Sequence, residues 1–152
     1  TCRLKKNKPQ LVYEYSNEPL AFYGQPKLIL AHKMYGFPYY DEKGIYGISR
    51  RDNYIMVGQT PQNFNKWKDF LSSKFALYLF EGTRYRMKYL EKYIFQLIPD
   101  ITKLAGFPEK INDNTIAKYF GFNEEERIAI DNLHTKKYNF FIAEKKELEK
   151  EN

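Results

Sequence analysis

Cysteine, histidine, tryptophan and long apolar runs are scarce in this chain of 152 residues. Its single cysteine, Cys2, excludes an internal disulfide, and one cysteine with two histidines cannot make an ordinary structural zinc site. The longest mostly apolar run, Phe75 to Phe80, is too short to cross a bilayer, so no membrane partner is predicted. The sequence shows no secretory-type apolar stretch, and we expect an intracellular, reducing environment.

Motifs of the common catalytic classes are also absent from the sequence. There is no Gly-x-Gly-x-x-Gly loop, no Gly-x-x-x-x-Gly-Lys-Ser/Thr phosphate loop and no Gly-x-Ser-x-Gly elbow. Neither an Asp/Asn-Pro-Pro-Tyr loop, which holds a target adenine, nor a glycine-rich methyl-donor loop is found. Asp41-Glu42-Lys43 and Glu144-Lys145-Lys146 have the Asp/Glu-x-Lys spacing of nucleases, but a hairpin turn and a solvated tail explain them better. We therefore predict no catalytic residue, metal site or cofactor in this chain.

Aromatic and basic residues, in contrast, are abundant. Fourteen tyrosines, 12 phenylalanines and one tryptophan make up 18% of the chain, and much of this aromatic surface is expected in the core. The net charge of +6 is uneven, because residues 1–110 hold 18 Lys and Arg against 10 Asp and Glu, whereas residues 111–152 hold 7 against 9. A basic body is consistent with a polyanionic partner, since lysine and arginine displace counterions from phosphates.

The hydrophobic pattern changes its period at Thr60. Before it, short apolar or alternating runs indicate strands near residues 11–15, 27–31, 39–40, 45–49 and 54–57, with a turn at Lys43-Gly44. After it, apolar residues at helical spacing predict one long helix over residues 61–81, with Thr60 as its N-cap. Residues 93–99 are again typical of a strand, and two short helices are predicted near 113–120 and 123–134, hinged at Gly121.

We therefore predict an α+β fold, with a mostly antiparallel sheet in residues 11–99, one long helix packed across it and a small helical C-terminal part. Residues 1–10 are expected to be a linker or flexible entry, and residues 11–134 to be the domain. Residues 135–152 are expected to be a C-terminal segment with a charged, frayed tail. Because the chain begins with Thr1 instead of methionine, we expect a fragment of a larger protein.

Several segments match a known pattern in their order along the chain. They are residues 27–33 (KLILAHK), 46–54 (YGISRRDNY), 63–80 (NFNKWKDFLSSKFALYLF), 84–92 (RYRMKYLEK) and 98–100 (IPD). Together they resemble the TaqI-like C-terminal specificity domain of adenine-N6 DNA methyltransferases and fused restriction–modification enzymes. The resemblance covers residues 11–134, and residues 111–126 resemble the helical end of the same enzymes.

This resemblance implies a DNA target-recognition module that binds double-stranded DNA and reads its sequence but performs no catalysis. It implies a catalytic methyltransferase domain in the parent chain, which would use S-adenosylmethionine. It also implies a location in a prokaryotic cytoplasm or in the replication compartment of a large DNA virus. Two other classes stay open: a general nucleic-acid-binding accessory domain and a protein-interaction scaffold built on the aromatic surface.

Two basic clusters are the candidates for DNA contacts. Arg50 and Arg51 follow a predicted strand, where a guanidinium can reach guanine O6 and N7 or a phosphate; the alternative is a solvated strand end paired with Asp52. The second cluster consists of Arg84, Tyr85, Arg86 and Lys88. The alternative is that these residues have a structural role and form ion pairs with nearby glutamates. Both clusters lie at the ends of predicted elements, and we expect them on one DNA-facing surface.

His32 and Lys33, at the end of an apolar strand, complete the candidate site. His32 is either a hydrogen-bonded histidine at the edge of the core or a base-reading residue. The nearby aromatic residues form either a surface that stacks on bases or a small aromatic core under the hairpin; they are Tyr35, Phe37, Tyr39 and Tyr40.

Overall fold

A computed structural model of the chain describes residues 2–5, 8–11, 14–32, 38–49, 53–83 and 90–137, and for residues 2–5, 8–11 and 133–137 it describes the backbone alone. Its strands are β1 (Cys2–Lys5), β2 (Lys8–Leu11), β3 (Lys27–Ala31), β4 (Pro38–Asp41) and β5 (Asn53–Met56). Its helices are α1 (Pro61–Leu71), α2 (Lys74–Gly82), α3 (Ile94–Leu97), α4 (Asp113–Phe120) and α5 (Glu124–Lys137). The predicted α+β class is confirmed, because helices accompany a three-stranded antiparallel sheet with the order β4-β3-β5.

β3 is the central strand of this sheet, and its apolar run is covered on both faces. Four of its five residues are buried, which is typical of a strand without a solvent-facing side. Leu28 pairs with Tyr40 of β4 and with Met56 of β5. Helix α1 packs on β3 and β4, where the Tyr40 ring stacks on Phe64 with centroids 4.9 Å apart. The apolar stripe predicted for residues 61–81 therefore does face the core.

The predicted single helix over residues 61–81 is wrong, because two helices occupy this part of the chain. α1 begins at the predicted cap, Thr60, whose side chain accepts a backbone hydrogen bond. Ser73 then has an extended backbone, with φ −73° and ψ 157°, and its hydroxyl accepts a hydrogen bond from the Ala76 amide. Serine side chains compete with helical hydrogen bonds, so the Ser72-Ser73 pair ends one helix and starts the next.

Residues 93–99, predicted as a strand, contain the short helix α3 instead. Ile94 and Ile98 are buried, whereas Leu97 between them is 66% exposed. Gln96, which a strand would place on the same face as Ile94 and Ile98, is also exposed, so the burial follows the spacing of a helix and not the alternation of a strand. A short run of apolar residues does not distinguish the two structures, which is why the sequence pattern misled here.

Residues 45–49, all within the described range 38–49, do not form the predicted strand. The carboxylate of Asp41 accepts hydrogen bonds from the backbone amides of Ile45 and Tyr46, both at 3.0 Å. Amides bound in this way cannot donate to a neighbouring strand. Ile48 makes an isolated antiparallel bridge to Ala21. The turn itself is as predicted, because Gly44 has a φ of 66° in the left-handed region.

Two paired strands lie in the first part of the chain, where a linker or flexible entry was predicted. β1 and β2 pair in antiparallel fashion, with Cys2 opposite Leu11 and Lys5 opposite Lys8. This register fits a two-residue connection, a common way of joining antiparallel strands. Residues 14–26 are exposed throughout. Within the predicted strand at 11–15, Leu11 is the last residue of β2, Glu14 and Tyr15 are exposed and belong to no strand, and residues 12–13 lie outside the described residues.

The C-terminal helices agree with the prediction. α4 spans the predicted residues, with a reciprocal capping box between Asn112 and Thr115, and Gly121 ends it with a φ of 70°. α5 continues to Lys137, beyond the predicted end at residue 134, and packs against α2. Of the predicted C-terminal segment, residues 135–152, residues 135–137 belong to α5 and residues 138–152 lie outside the described residues.

Candidate nucleic-acid interface

Several chain segments meet at the carboxyl end of β3. Antiparallel pairing places Asn53, the first residue of β5, opposite Ala31, and Pro38, the first residue of β4, opposite Leu30. Leu90 donates its backbone N–H to the His32 carbonyl at 2.7 Å. We define the His32 end of the sheet as His32, Pro38, Asn53 and Leu90.

Residues of the His32 end border three stretches that carry the predicted DNA contacts. Residues 33–37 follow His32, residues 50–52 precede Asn53 and residues 84–89 precede Leu90. Seven predicted contact residues belong to these stretches and lie outside the described residues: Lys33, Arg50, Arg51, Arg84, Tyr85, Arg86 and Lys88. The structure brings together at least one border of each of the three stretches, namely His32 and Pro38, Asn53 and Leu90.

These three stretches hold most of the excess positive charge of the protein. Together they contain six lysines and arginines and one carboxylate, Asp52, which is a balance of +5 within a net charge of +6. They also contain aromatic side chains that can stack on bases, namely Tyr35, Phe37, Tyr85 and Tyr89. Clustered cations with interleaved aromatic residues are the composition expected for contact with a nucleic acid.

His32 lies at the edge of the core. It is half-buried, and its ring meets the Tyr54 ring edge-on, with centroids 5.5 Å apart. Its carbonyl also accepts the hydrogen bond from Leu90. This geometry supports the interpretation of His32 as a core-edge histidine, and its contact with a base stays a prediction.

Tyr54 connects β5 to the chain at Leu90, and reasoning from the sequence missed this role. Its hydroxyl donates to the Leu90 carbonyl at 2.9 Å, and its ring also packs edge-on against Phe95. Burial, and then the charge of Glu91, raise the pKa of Tyr54 above its usual value of 10.0, so the donating neutral hydroxyl is retained. A tyrosine in an apolar strand signals a hydrogen bond, but the partner depends on the tertiary fold.

The aromatic residues near β4 have structural contacts where the structure describes them. Tyr40 stacks on Phe64 of the core, and burial, followed by the nearby Glu42, raises its pKa. Tyr39 meets Tyr46 edge-on, with centroids 5.8 Å apart. These contacts favour the aromatic-core interpretation for Tyr39 and Tyr40, whereas Tyr35 and Phe37 lie outside the described residues.

The opposite end of β3 is built around a buried ion pair between Lys27 and Asp41. The Lys27 ammonium donates to the carboxylate and to the carbonyls of Phe22 and Gln25, at 2.9 and 3.0 Å. This pair ties the loop of residues 20–26 to the loop of residues 42–48. Asp41 is thus engaged in structural bonds, as the hairpin-turn interpretation of Asp41-Glu42-Lys43 requires.

These two loops differ from the three basic stretches in both polarity and charge. They expose the apolar side chains of Leu20, Phe22, Tyr23 and Ile45. The exposed charged residues here and in the preceding segment are mostly acidic: Glu14, Glu18 and Glu42 against Lys43. These exposed charges are less suited to a polyanion than the balance of +5 in the three basic stretches.

Among the described residues, no group of three or more His, Cys, Asp or Glu side chains is arranged to hold a metal ion. None of the described helices combines the length and apolar composition needed to span a bilayer. No protein-family model, curated protein or solved structure matches the chain.

Proposed function

We propose that this chain is a DNA target-recognition module of a larger adenine-N6 DNA methyltransferase or restriction–modification protein. The observation that carries the proposal is the meeting, at the His32 end, of the borders of residues 33–37, 50–52 and 84–89. These stretches are far apart in sequence and hold a balance of +5. Loops that leave one end of a rigid scaffold are a common way to build a binding surface.

Duplex DNA is the polyanion that suits these residues. Four of the six cations are arginines, whose planar guanidinium groups bind guanine O6 and N7 or a phosphate through two hydrogen bonds. Lys33 and Lys88 add point charges for phosphates. Phosphate contacts supply most of the affinity, and base contacts supply the choice of sequence.

Methyl transfer would belong to a catalytic domain of the parent chain, which would bind S-adenosylmethionine. This division rests on the resemblance of residues 11–134 to specificity domains and on the missing adenine-holding and methyl-donor loops. The contribution of this chain is to hold the duplex while the catalytic domain takes one base out of the helix.

The test is equilibrium binding of the full chain to a fluorescently labelled duplex at several salt concentrations. R50A/R51A and R84A/R86A each remove two positive charges and are expected to weaken binding. The slope of log affinity against log salt should fall by about one unit for each phosphate that a variant no longer neutralises. The matched control, K110A/K118A, removes two charges from exposed positions outside the three stretches and should leave the slope unchanged.

Selection from a pool of random duplexes separates target recognition from general binding. A target-recognition module enriches one sequence, whereas a general nucleic-acid-binding domain enriches none. If K110A/K118A weakened duplex binding as much as the two arginine variants, the assignment of the site would be contradicted. Binding whose affinity does not depend on the salt concentration would favour a protein-interaction scaffold.

A further inference from the structure

Both backbone polar groups of Leu90 make hydrogen bonds. Its N–H donates to the His32 carbonyl at 2.7 Å, and its carbonyl accepts from the Tyr54 hydroxyl at 2.9 Å. Its side chain is buried, with 1% exposed. The residue that directly follows the 84–89 stretch is therefore fixed to the end of β3 and to β5.

Tyr54 adjoins the borders of the other two stretches as well. It follows Asn53, where residues 50–52 rejoin the sheet, and its ring contacts His32, after which residues 33–37 begin. Phe95 covers another edge of the ring, with centroids 5.2 Å apart, and restricts its movement. One side chain thus connects all three borders.

A second tyrosine holds the other border of the 84–89 stretch. The Thr83 carbonyl accepts a hydrogen bond from the Tyr93 hydroxyl. The Thr83 hydroxyl in turn donates to the Leu79 carbonyl of α2 at 2.8 Å. Both borders of the most basic stretch are therefore bound by tyrosine hydroxyls.

We propose that Tyr54 is a positioning residue for the DNA-facing surface. Its hydroxyl fixes Leu90 and so sets the point at which the 84–89 stretch joins the sheet relative to the 50–52 stretch. This inference rests on the proposed function. Cationic side chains whose backbone is anchored in one position lose less conformational freedom on binding phosphates than those whose backbone moves. Removing the hydroxyl takes a donor from the Leu90 carbonyl and releases the backbone there.

The experiment compares Y54F with Y119F, since each removes one hydroxyl that donates to a backbone carbonyl. Tyr119 donates to Ala105 at 3.0 Å and borders none of the three stretches. Amide exchange at Leu90 and duplex affinity are measured at a temperature where each variant is fully folded. Y54F is expected to exchange faster at Leu90, to bind about three- to tenfold more weakly and to show a shallower salt slope. Y119F should match the wild type in all three.

The two readouts separate failure of this inference from failure of the proposed function. Unchanged exchange at Leu90 in Y54F, or unchanged duplex affinity in a wild type that binds, overturns the positioning role of Tyr54. If the wild type does not bind duplex DNA, the proposed function fails, while exchange at Leu90 still decides whether Tyr54 fixes this residue. Should Y54F not fold, Y93F is the second variant, because Tyr93 is exposed and removal of its hydrogen bond to Thr83 does not disturb the core. It frees the other border of the 84–89 stretch and is likewise expected to weaken duplex binding.

Discussion

Asp113, the first residue of α4, accepts a hydrogen bond from the backbone N–H of Lys74, the first residue of α2, at 2.7 Å. The start of α2 is therefore capped twice, by Ser73 next to it in sequence and by Asp113 from another helix. The first amides of a helix have no partner within the helix, so each external acceptor stabilises this starting point. The break after α1 is thus part of the tertiary structure.

Ser73→Ala is expected to lower the free energy of unfolding by about 1 kcal/mol, because the Ala76 amide loses its capping hydroxyl. Urea denaturation measures this change. Ser72→Ala is the matched control, since the Ser72 hydroxyl donates to the Lys68 carbonyl and caps no amide. If residues 61–81 formed one helix, alanine would stabilise it at both positions, so a stabilising Ser73→Ala contradicts the two-helix structure.

Lys27→Met is expected to destabilise the protein by about 3–5 kcal/mol, because it leaves the Asp41 carboxylate buried without its cation. The two side chains are 0% and 2% exposed. Lys66→Met is the control: Lys66 pairs with Glu109, which is 86% exposed, and such a surface pair contributes at most about 1 kcal/mol. Equal losses in urea denaturation would show that the Lys27 pair is not buried in solution.

Gly44→Ala is expected to lower Tm more than Gly24→Ala. Both glycines have a positive φ, 66° and 79°, so both substitutions carry backbone strain. A Cβ at Gly44 would also lie 2.6 Å from the Gln25 backbone nitrogen, whereas a Cβ at Gly24 meets open space. Thermal unfolding followed by circular dichroism compares the two. Equal shifts would contradict the close approach of the two loops.

Stability is expected to fall as pH rises above about 10, in part through Tyr54. The pKa of Tyr54 is raised in the folded state, so the unfolded chain loses this proton first as pH rises. The stabilisation that Tyr54 contributes is complete below the pKa of this tyrosine in the unfolded chain. It is lost as the pH rises through the pKa of Tyr54 in the folded protein. Y54F should show a shallower loss than the wild type in urea denaturation at alkaline pH, and parallel curves would contradict the raised pKa.

The chain alone is expected neither to methylate nor to cleave DNA. Its sequence contains no adenine-holding loop, methyl-donor loop or nuclease cluster. Incubation with DNA and a labelled methyl donor, or with DNA and magnesium, tests both activities. Turnover that is abolished by a substitution in this chain would contradict the prediction.

Local signals in the sequence predicted the features whose partners lie within a few residues. Thr60 and Gly121 mark helix ends because each acts on its own turn of helix. The apolar stripe runs through Ser72 and Ser73 without interruption and so predicts one helix where the structure has two. The stripe is continuous because both helices face the same core, not because the backbone is one helix.

Contacts between distant residues could not be predicted in this way. The Asp41 carboxylate binds Lys27, 14 residues away. The Tyr54 hydroxyl meets Leu90, 36 residues away. For the candidate site, the sequence predicted which stretches hold the clustered cations. The register of the strands and the Leu90–His32 hydrogen bond then showed where these stretches meet the sheet. The residues that touch DNA stay a prediction.

Trp67 is the single tryptophan of the chain, and it is buried, with 8% exposed and its ring edge-on to Phe70. An indole that moves from this apolar surrounding into water shifts its fluorescence emission to longer wavelength. Unfolding of the domain can therefore be followed optically in every variant without attaching a label. Because one indole gives the whole tryptophan emission, a red-shifted tryptophan spectrum at the start of a binding titration identifies a variant that has lost its core before its affinity is interpreted.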